Sequence, residues 1–136
     1  MSDKIKILLA EDEPFLSGMY QTKLKIEGYD VVAAADGEEA LEKLDKGDFD
    51  IILLDIMMPK LNGFEVLNNI RNNSNKELAK IPVIILTNLG QKTDIEKGLL
   101  LGANDYIVKA NFTPAEVVDK IKKHLNEMPP QPQAKK

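Results

Sequence analysis

Short apolar runs recur at near-even spacing along this chain, and the segments between them carry helical periodicity. The runs fall at residues 5–10, 31–34, 51–54, 83–86 and 106–108. Between and after them, apolar side chains return every three or four residues. Phe15, Met19, Tyr20, Leu24 and Ile26 suggest a first helix, and Ala40, Leu41 and Leu44 a second. Val66, Leu67 and Ile70 suggest a third, Ile95 and Leu99 a fourth, and Val117, Val118, Ile121 and Leu125 a fifth. Strands that alternate with helices must run parallel and be joined by right-handed crossovers. The runs Ile51-Ile52-Leu53-Leu54 and Val83-Ile84-Ile85-Leu86 are apolar throughout, as strands are when helices cover both faces of a sheet.

The predicted fold is therefore α/β: a doubly wound (βα)5 three-layer sandwich with a five-stranded parallel sheet, expected in the flavodoxin-like order 2-1-3-4-5. At 136 residues the chain fits one domain and leaves little room for a second. That domain is placed at residues 1–126. The Pro- and Gln-rich stretch 127–136 is read as a flexible tail or the start of a linker.

Several boundaries carry their own chemistry. Thr113-Pro114-Ala115-Glu116 has the pattern of a capping box, and Thr93-Asp94-Ile95-Glu96 repeats it without the proline. Gly28 and Gly102 stand just past helical patterns, where a left-handed cap residue is favoured. The polar stretch 72–80 reads as a loop before Pro82.

In an open parallel sheet, ligands bind beyond the carboxyl ends of the strands. There the first run ends in Glu11-Asp12-Glu13, the third in Asp55, the fourth in Thr87-Asn88 and the fifth in Lys109. Like charges about 4 Å apart repel by roughly 4 kcal/mol at an effective dielectric near 20, so Glu11, Asp12 and Asp55 together call for a cation. An all-oxygen donor set suits Mg2+. Such a site can clamp a phosphoryl group while a carboxylate attacks it, with Lys109 as a mobile charge and Thr87 as a hydroxyl donor. Singly, each residue has a plainer use: an aspartate after an apolar run is more often a helix cap, a lysine a surface charge, and Tyr106 a core aromatic. Their joint arrival at the ends of four strands is what distinguishes them.

The stretch Leu54-Asp55-Ile56-Met57-Met58-Pro59, followed by Asn62-Gly63, resembles the phosphorylation-site signature of bacterial response-regulator receiver domains, including the stand-alone chemotaxis type. The resemblance runs from about Lys4 to Leu125. It implies that Asp55 is the phosphoacceptor and that Glu11, Asp12, Asp55 and the backbone carbonyl of Met57 hold Mg2+. It further implies that Thr87 is the switch hydroxyl, Lys109 the lysine that pairs with the phosphoryl group, and Tyr106 the aromatic that moves inward on activation.

Four features depart from that pattern. Glu11 stands where aspartate is frequent, and its longer side chain brings a water-mediated contact to the metal into play. Asn88 follows Thr87 in place of a small residue. Ala110 follows Lys109 in place of proline, so the Lys109–Ala110 bond is either trans or a strained cis. Met57 and Leu89 flank the pocket where relatives carry polar side chains, so slow loss of the phosphoryl group is expected.

The implied phosphoryl source is a separate histidine kinase, phosphotransfer protein or small phosphodonor. His124, the only histidine, lies in the last helical stretch beside Lys122 and Lys123, where a helix-end cation is favourable. The implied output is remodelling of the face built from the fourth helix, fifth strand and fifth helix, which would bind a downstream protein or a second copy. Leu99-Leu100-Leu101 lies on that fourth helix, and because three consecutive leucines cannot all point inward, at least one is expected on the output face. A net charge of −4 argues against direct nucleic-acid binding. No apolar stretch has the roughly 20 residues that span a bilayer, and the absence of cysteine suits a reducing cytoplasm. The alternative is a receiver-like interaction module indifferent to phosphorylation. A hydrolase of the aspartyl-phosphate kind fits poorly, because Met57 occupies the place where a second acid would be needed.

Overall fold

The structure is a computed structural model and describes residues 4–127. Strands β1 (Lys6–Ala10), β2 (Asp30–Ala34), β3 (Ile51–Leu54), β4 (Val83–Thr87) and β5 (Asp105–Val108) form one sheet in the order β2-β1-β3-β4-β5. Every neighbouring pair is parallel. Between and after them lie helices α1 (Pro14–Ile26), α2 (Gly37–Lys46), α3 (Gly63–Arg71), α4 (Lys76–Ala79), α5 (Lys92–Leu100) and α6 (Pro114–Glu127). Both the fold class and the strand order match the sequence-based expectation. The tail from residue 128 onward lies outside the described residues.

Alternation along the strands divides the core in two. Ile7, Leu9, Ile51, Leu53, Ile84, Leu86 and Ile107 pack against α1 and α6. Leu8, Ala10, Ile52, Leu54, Val83 and Ile85 pack against α2 and α3 on the other side. The buried Gly98 brings α5 to that second side, against Ile85 and Tyr106.

Three local expectations are corrected. Phe15 and Ile26 are exposed, because α1 buries Ser17, Tyr20 and Leu24. At 100° per residue, Phe15 lies half a turn out of phase with Leu24, and Ile26 nearly so. The capping box at Thr93 does not form: α5 starts at Lys92 with Gln91 at its N-cap. Thr93 and Glu96 are thus already inside the helix, whose first bond joins the Ile95 amide to the Gln91 carbonyl. The loop 72–80 holds α4, a single turn capped by the Asn75 side chain, which accepts from the amides of Glu77 and Leu78.

Other expectations hold. The Thr113 and Glu116 side chains exchange bonds with each other's amides, and Gly28 and Gly102 have φ of 98° and 108°. Leu99 and Leu100 are exposed, while Leu101 packs partly against the core.

Candidate functional site

The ends of β1, β3 and β5 deliver three charges to one point. Leu9, Leu53 and Ile107 face the α1/α6 side, so two residues further on Glu11, Asp55 and Lys109 emerge on that side as well. The Lys109 ammonium donates to Asp55 Oδ2 at 2.9 Å and to Glu11 Oε1, and all three side chains are buried. The remaining oxygens are also engaged. Asp55 Oδ1 accepts from the Met57 amide at 3.1 Å, and Glu11 Oε2 from the Glu13 amide at 3.0 Å. Glu13 itself leaves the cluster and caps α1 by accepting from the Leu16 amide.

Burial pushes the Glu11 carboxyl above its ordinary value, against the lowering effect of its bond to Lys109. Burial alone would lower the Lys109 ammonium, but the bond to Glu11 and the charge of Asp55 more than reverse this, and its value is raised. Asp12 stands exposed at the rim, and one oxygen each from Glu11, Asp12 and Asp55 lie within 4.8 Å of one another. Three carboxylates against one ammonium leave two negative charges uncompensated, and oxygen donors of that charge suit a divalent cation. The donor set therefore fits the implied metal.

Gly63 fixes the floor of the site. A Cβ there would stand 2.3 Å from the Asp55 carbonyl oxygen, and the Gly63 amide donates to the Ile56 carbonyl at 2.8 Å. Only glycine lets α3 start this close behind Asp55. Its start is held by a capping box between Asn62 and Glu65.

Thr87 and Tyr106 belong to the opposite side of the sheet. Thr87 is fully buried, and its Oγ1 accepts from the Leu89 amide at 3.3 Å. Tyr106 packs against the α2/α3 core and donates its hydroxyl to the Leu89 carbonyl. Asn88 and Met57 are exposed, and Leu89 is half-buried. The Lys109–Ala110 bond is trans.

Two features escaped sequence reasoning. His124 Nε2 lies 2.7 Å from Asp105 Oδ2, so its partner is a carboxylate across the β5–α6 boundary as well as a helix end. The Arg71 guanidinium, at the end of α3, donates to the carbonyls of Ala79, Ile81 and Gly102 and to Asn104 Oδ1. Those partners lie 8 to 33 residues away, and no helical or strand spacing announces them.

A strand-end acid cluster with a lysine across it, on a 2-1-3-4-5 parallel sheet, defines a doubly wound α/β domain with a charged site at the carboxyl edge, and comparison with known proteins identifies it further. The family model of the response regulator receiver domain matches residues 7–122. The chain is 42% identical over 125 residues to "Probable transcriptional regulator ycf27" of Porphyridium aerugineum, covering 92% of this chain and 50% of that protein. It is 41% identical over 117 residues to the alkaline phosphatase synthesis transcriptional regulatory protein PhoP of Bacillus subtilis (strain 168), covering 86% of this chain and 47% of that one. Among solved structures, the CheY-like receiver domain protein of Methanospirillum hungatei JF-1 aligns with a TM-score of 0.81 at 29% identity, over 92% of this chain and 96% of that one. Chemotaxis response regulator CheY4 of Vibrio cholerae aligns with a TM-score of 0.79 at 32% identity, over 88% and 98% of the respective chains.

The chain belongs to the response-regulator receiver domain family of two-component signalling. It is thus a regulatory domain and not a conventional enzyme. It spans about half the length of the curated relatives it matches. No helix among the described residues is long and apolar enough to cross a membrane.

Proposed function

We propose that Asp55 accepts a phosphoryl group with the help of Mg2+, and that the modified site switches a protein-binding face. The observation that carries this reading is Lys109 held between Asp55 and Glu11 at the joint end of three strands.

Glu11, Asp12, Asp55 and the Met57 carbonyl would hold the metal, which when bound supplies positive charge to the phosphoryl oxygens. An Asp55 carboxylate oxygen attacks phosphorus, forming the O–P bond as the bond from phosphorus to the donor's nitrogen or oxygen breaks. Lys109 is raised in pKa and stays protonated, so it can leave the carboxylate and pair with a phosphoryl oxygen. Glu11, one methylene longer than an aspartate, meets the metal through water.

Thr87 reaches the phosphoryl group by giving up the Leu89 amide. That releases the loop whose carbonyl holds Tyr106 and so remodels the surface of α5, β5 and α6. Charge-assisted bonds worth about 1.5–3 kcal/mol each supply a substantial part of the roughly 5.5 kcal/mol that reverses a 1:99 population. The donor is a histidine kinase, a phosphotransfer protein or a small phosphodonor, and the target is a downstream protein or a second copy. The setting is the cytoplasm, and the domain proper ends near residue 126.

Reductive trapping tests the site. Borohydride after phosphorylation should convert Asp55 alone to homoserine, read by peptide mass. A trapped residue elsewhere would refute the assignment.

A further inference from the structure

Helix α5 is held to the rest of the domain by little. Gly98 is its only buried residue, whereas α3 buries Gly63, Phe64, Val66, Leu67 and Ile70. Leu99 and Leu100 on α5 are 47% and 88% exposed. Elements with so little buried apolar surface shift at the lowest cost in a fold. Two adjacent residues nevertheless fasten α5 on two sides. Gly98 seats against the sheet, where a Cβ would stand 2.7 Å from Ile85 Cδ1 and 3.0 Å from Tyr106 Cδ2. Lys97 reaches toward α3 and sets its ammonium 4.5 Å from the centroid of the Phe64 ring.

Phe64 is a fixed anchor. It is buried in the core cluster that includes Leu54 and Ile85. Its backbone follows Gly63, where a Cβ would meet the Asp55 carbonyl oxygen at 2.3 Å and Ile56 Cα at 2.7 Å. The ring is thereby tied to the backbone beside Asp55, and the exposed Lys97 side chain is the movable partner. A lysine ammonium over a phenyl face is attracted by the ring quadrupole. Tyr106, by contrast, is held by the bond from its hydroxyl to the Leu89 carbonyl. When that bond is given up, Gly98 loses its seat, and the contact of Lys97 with Phe64 remains to hold α5.

We propose that Lys97 pins α5 to the start of α3 through Phe64, and that this contact keeps the α5 face in the arrangement in which Tyr106 is bonded to Leu89. The role of the pin in switching rests on the reading of Asp55 as phosphoacceptor. It makes Lys97 a brake: Tyr106 leaves Leu89 freely, but α5 shifts only when the ammonium slides off the ring.

Two measurements decide it. Hydrogen exchange at the amides of residues 95–101, read by NMR, should speed up about threefold in Lys97→Met, as for the loss of one exposed cation–π contact, while the α2 amides keep their rates. Lys97→Arg keeps a cation on the ring and should retain wild-type protection. Phe64→Leu removes the ring, and adding Lys97→Met to it should change nothing more. Second, Lys97→Met should raise the rate of phosphorylation by acetyl phosphate about threefold, because a released α5 lets Thr87 leave Leu89 for the incoming phosphoryl group more often. Loss of a positive charge alone would slow an anionic donor instead. Unchanged α5 exchange in Lys97→Met, an equal rise in the Phe64→Leu background, or a phosphorylation rate that fails to rise would overturn the proposal. If the wild type takes up no phosphate, the reading of Asp55 falls, and the exchange cycle still judges the pin.

Discussion

The Tyr106 hydroxyl is bonded to the Leu89 carbonyl, on the same residue whose amide is bonded to Thr87. Leu89 thus couples a hydroxyl at the end of β4 to an aromatic on β5. The Tyr106 phenol is pushed up to about 12 by burial, helped by the charges of Asp94 and Asp55.

A phenol whose folded value exceeds its unfolded one, near 10, keeps its full contribution to stability below about pH 10. That contribution is lost as pH rises toward about 12. Ultraviolet titration at a phenolate wavelength, comparing wild type with Tyr106→Phe, should assign the latest phenol to Tyr106. Tyr20 and Tyr29 are raised as well, so the subtraction is needed. A phenol lost from the early part of the curve would show that the bond to Leu89 does not persist in solution.

Gly98 is where α5 meets this aromatic. A Cβ there would stand 2.7 Å from Ile85 Cδ1 and 3.0 Å from Tyr106 Cδ2. In an open helix, glycine to alanine gains roughly 1 kcal/mol. Here Gly98→Ala should instead cost roughly 1–2 kcal/mol, by crowding. Ile85→Val removes the nearest carbon, and the cost of Gly98→Ala in that background should shrink. Urea denaturation of the four proteins in the cycle measures the coupling.

Arg71 holds together the end of α3, the approach to β4 and the turn after α5. Replacing it with methionine leaves the carbonyls of Ala79, Ile81 and Gly102 without their donor. The expected loss is about 2–4 kcal/mol, seen as a lower urea midpoint. Arg71→Lys should recover only part of it, since an ammonium lacks the planar fork. Full stability in Arg71→Met would mean that water replaces the guanidinium.

Met57 and Leu89 bear on the lifetime of the phosphorylated state. Exposed and half-buried respectively, neither offers a group to orient a water in line with the O–P bond. Met57→Asn combined with Leu89→Glu should speed decay of the acyl phosphate roughly tenfold, ~1.4 kcal/mol off the barrier. An unchanged decay rate would show that these positions do not control water.

Much of this was legible in the sequence because strands announce themselves by continuous apolar runs and by what stands at their ends. Glu11, Asp55 and Lys109 meet because each follows a strand in the same phase, and alternation carries that phase to the edge. In α1, Phe15 and Ile26 fit a helix but not its buried face, and Ser17, a polar residue that apolar spacing cannot flag, is buried there. The roles of Arg71 and of the Asp105–His124 pair depend on contacts distant in sequence, which periodicity cannot report. The Thr93 box failed because a cap pattern is shared by residues already inside a helix.

The proposed role of Asp55 is to take the phosphoryl group in a metal-dependent reaction. Intact-mass spectrometry of wild type and Asp55→Asn, after incubation with acetyl phosphate or phosphoramidate and Mg2+, tests it most directly. The expected result is a single added phosphate on the wild type, absent with EDTA and absent in Asp55→Asn. An adduct that survives the substitution, or none from either donor, would remove Asp55 from its role and leave a receiver fold that works through protein contacts alone.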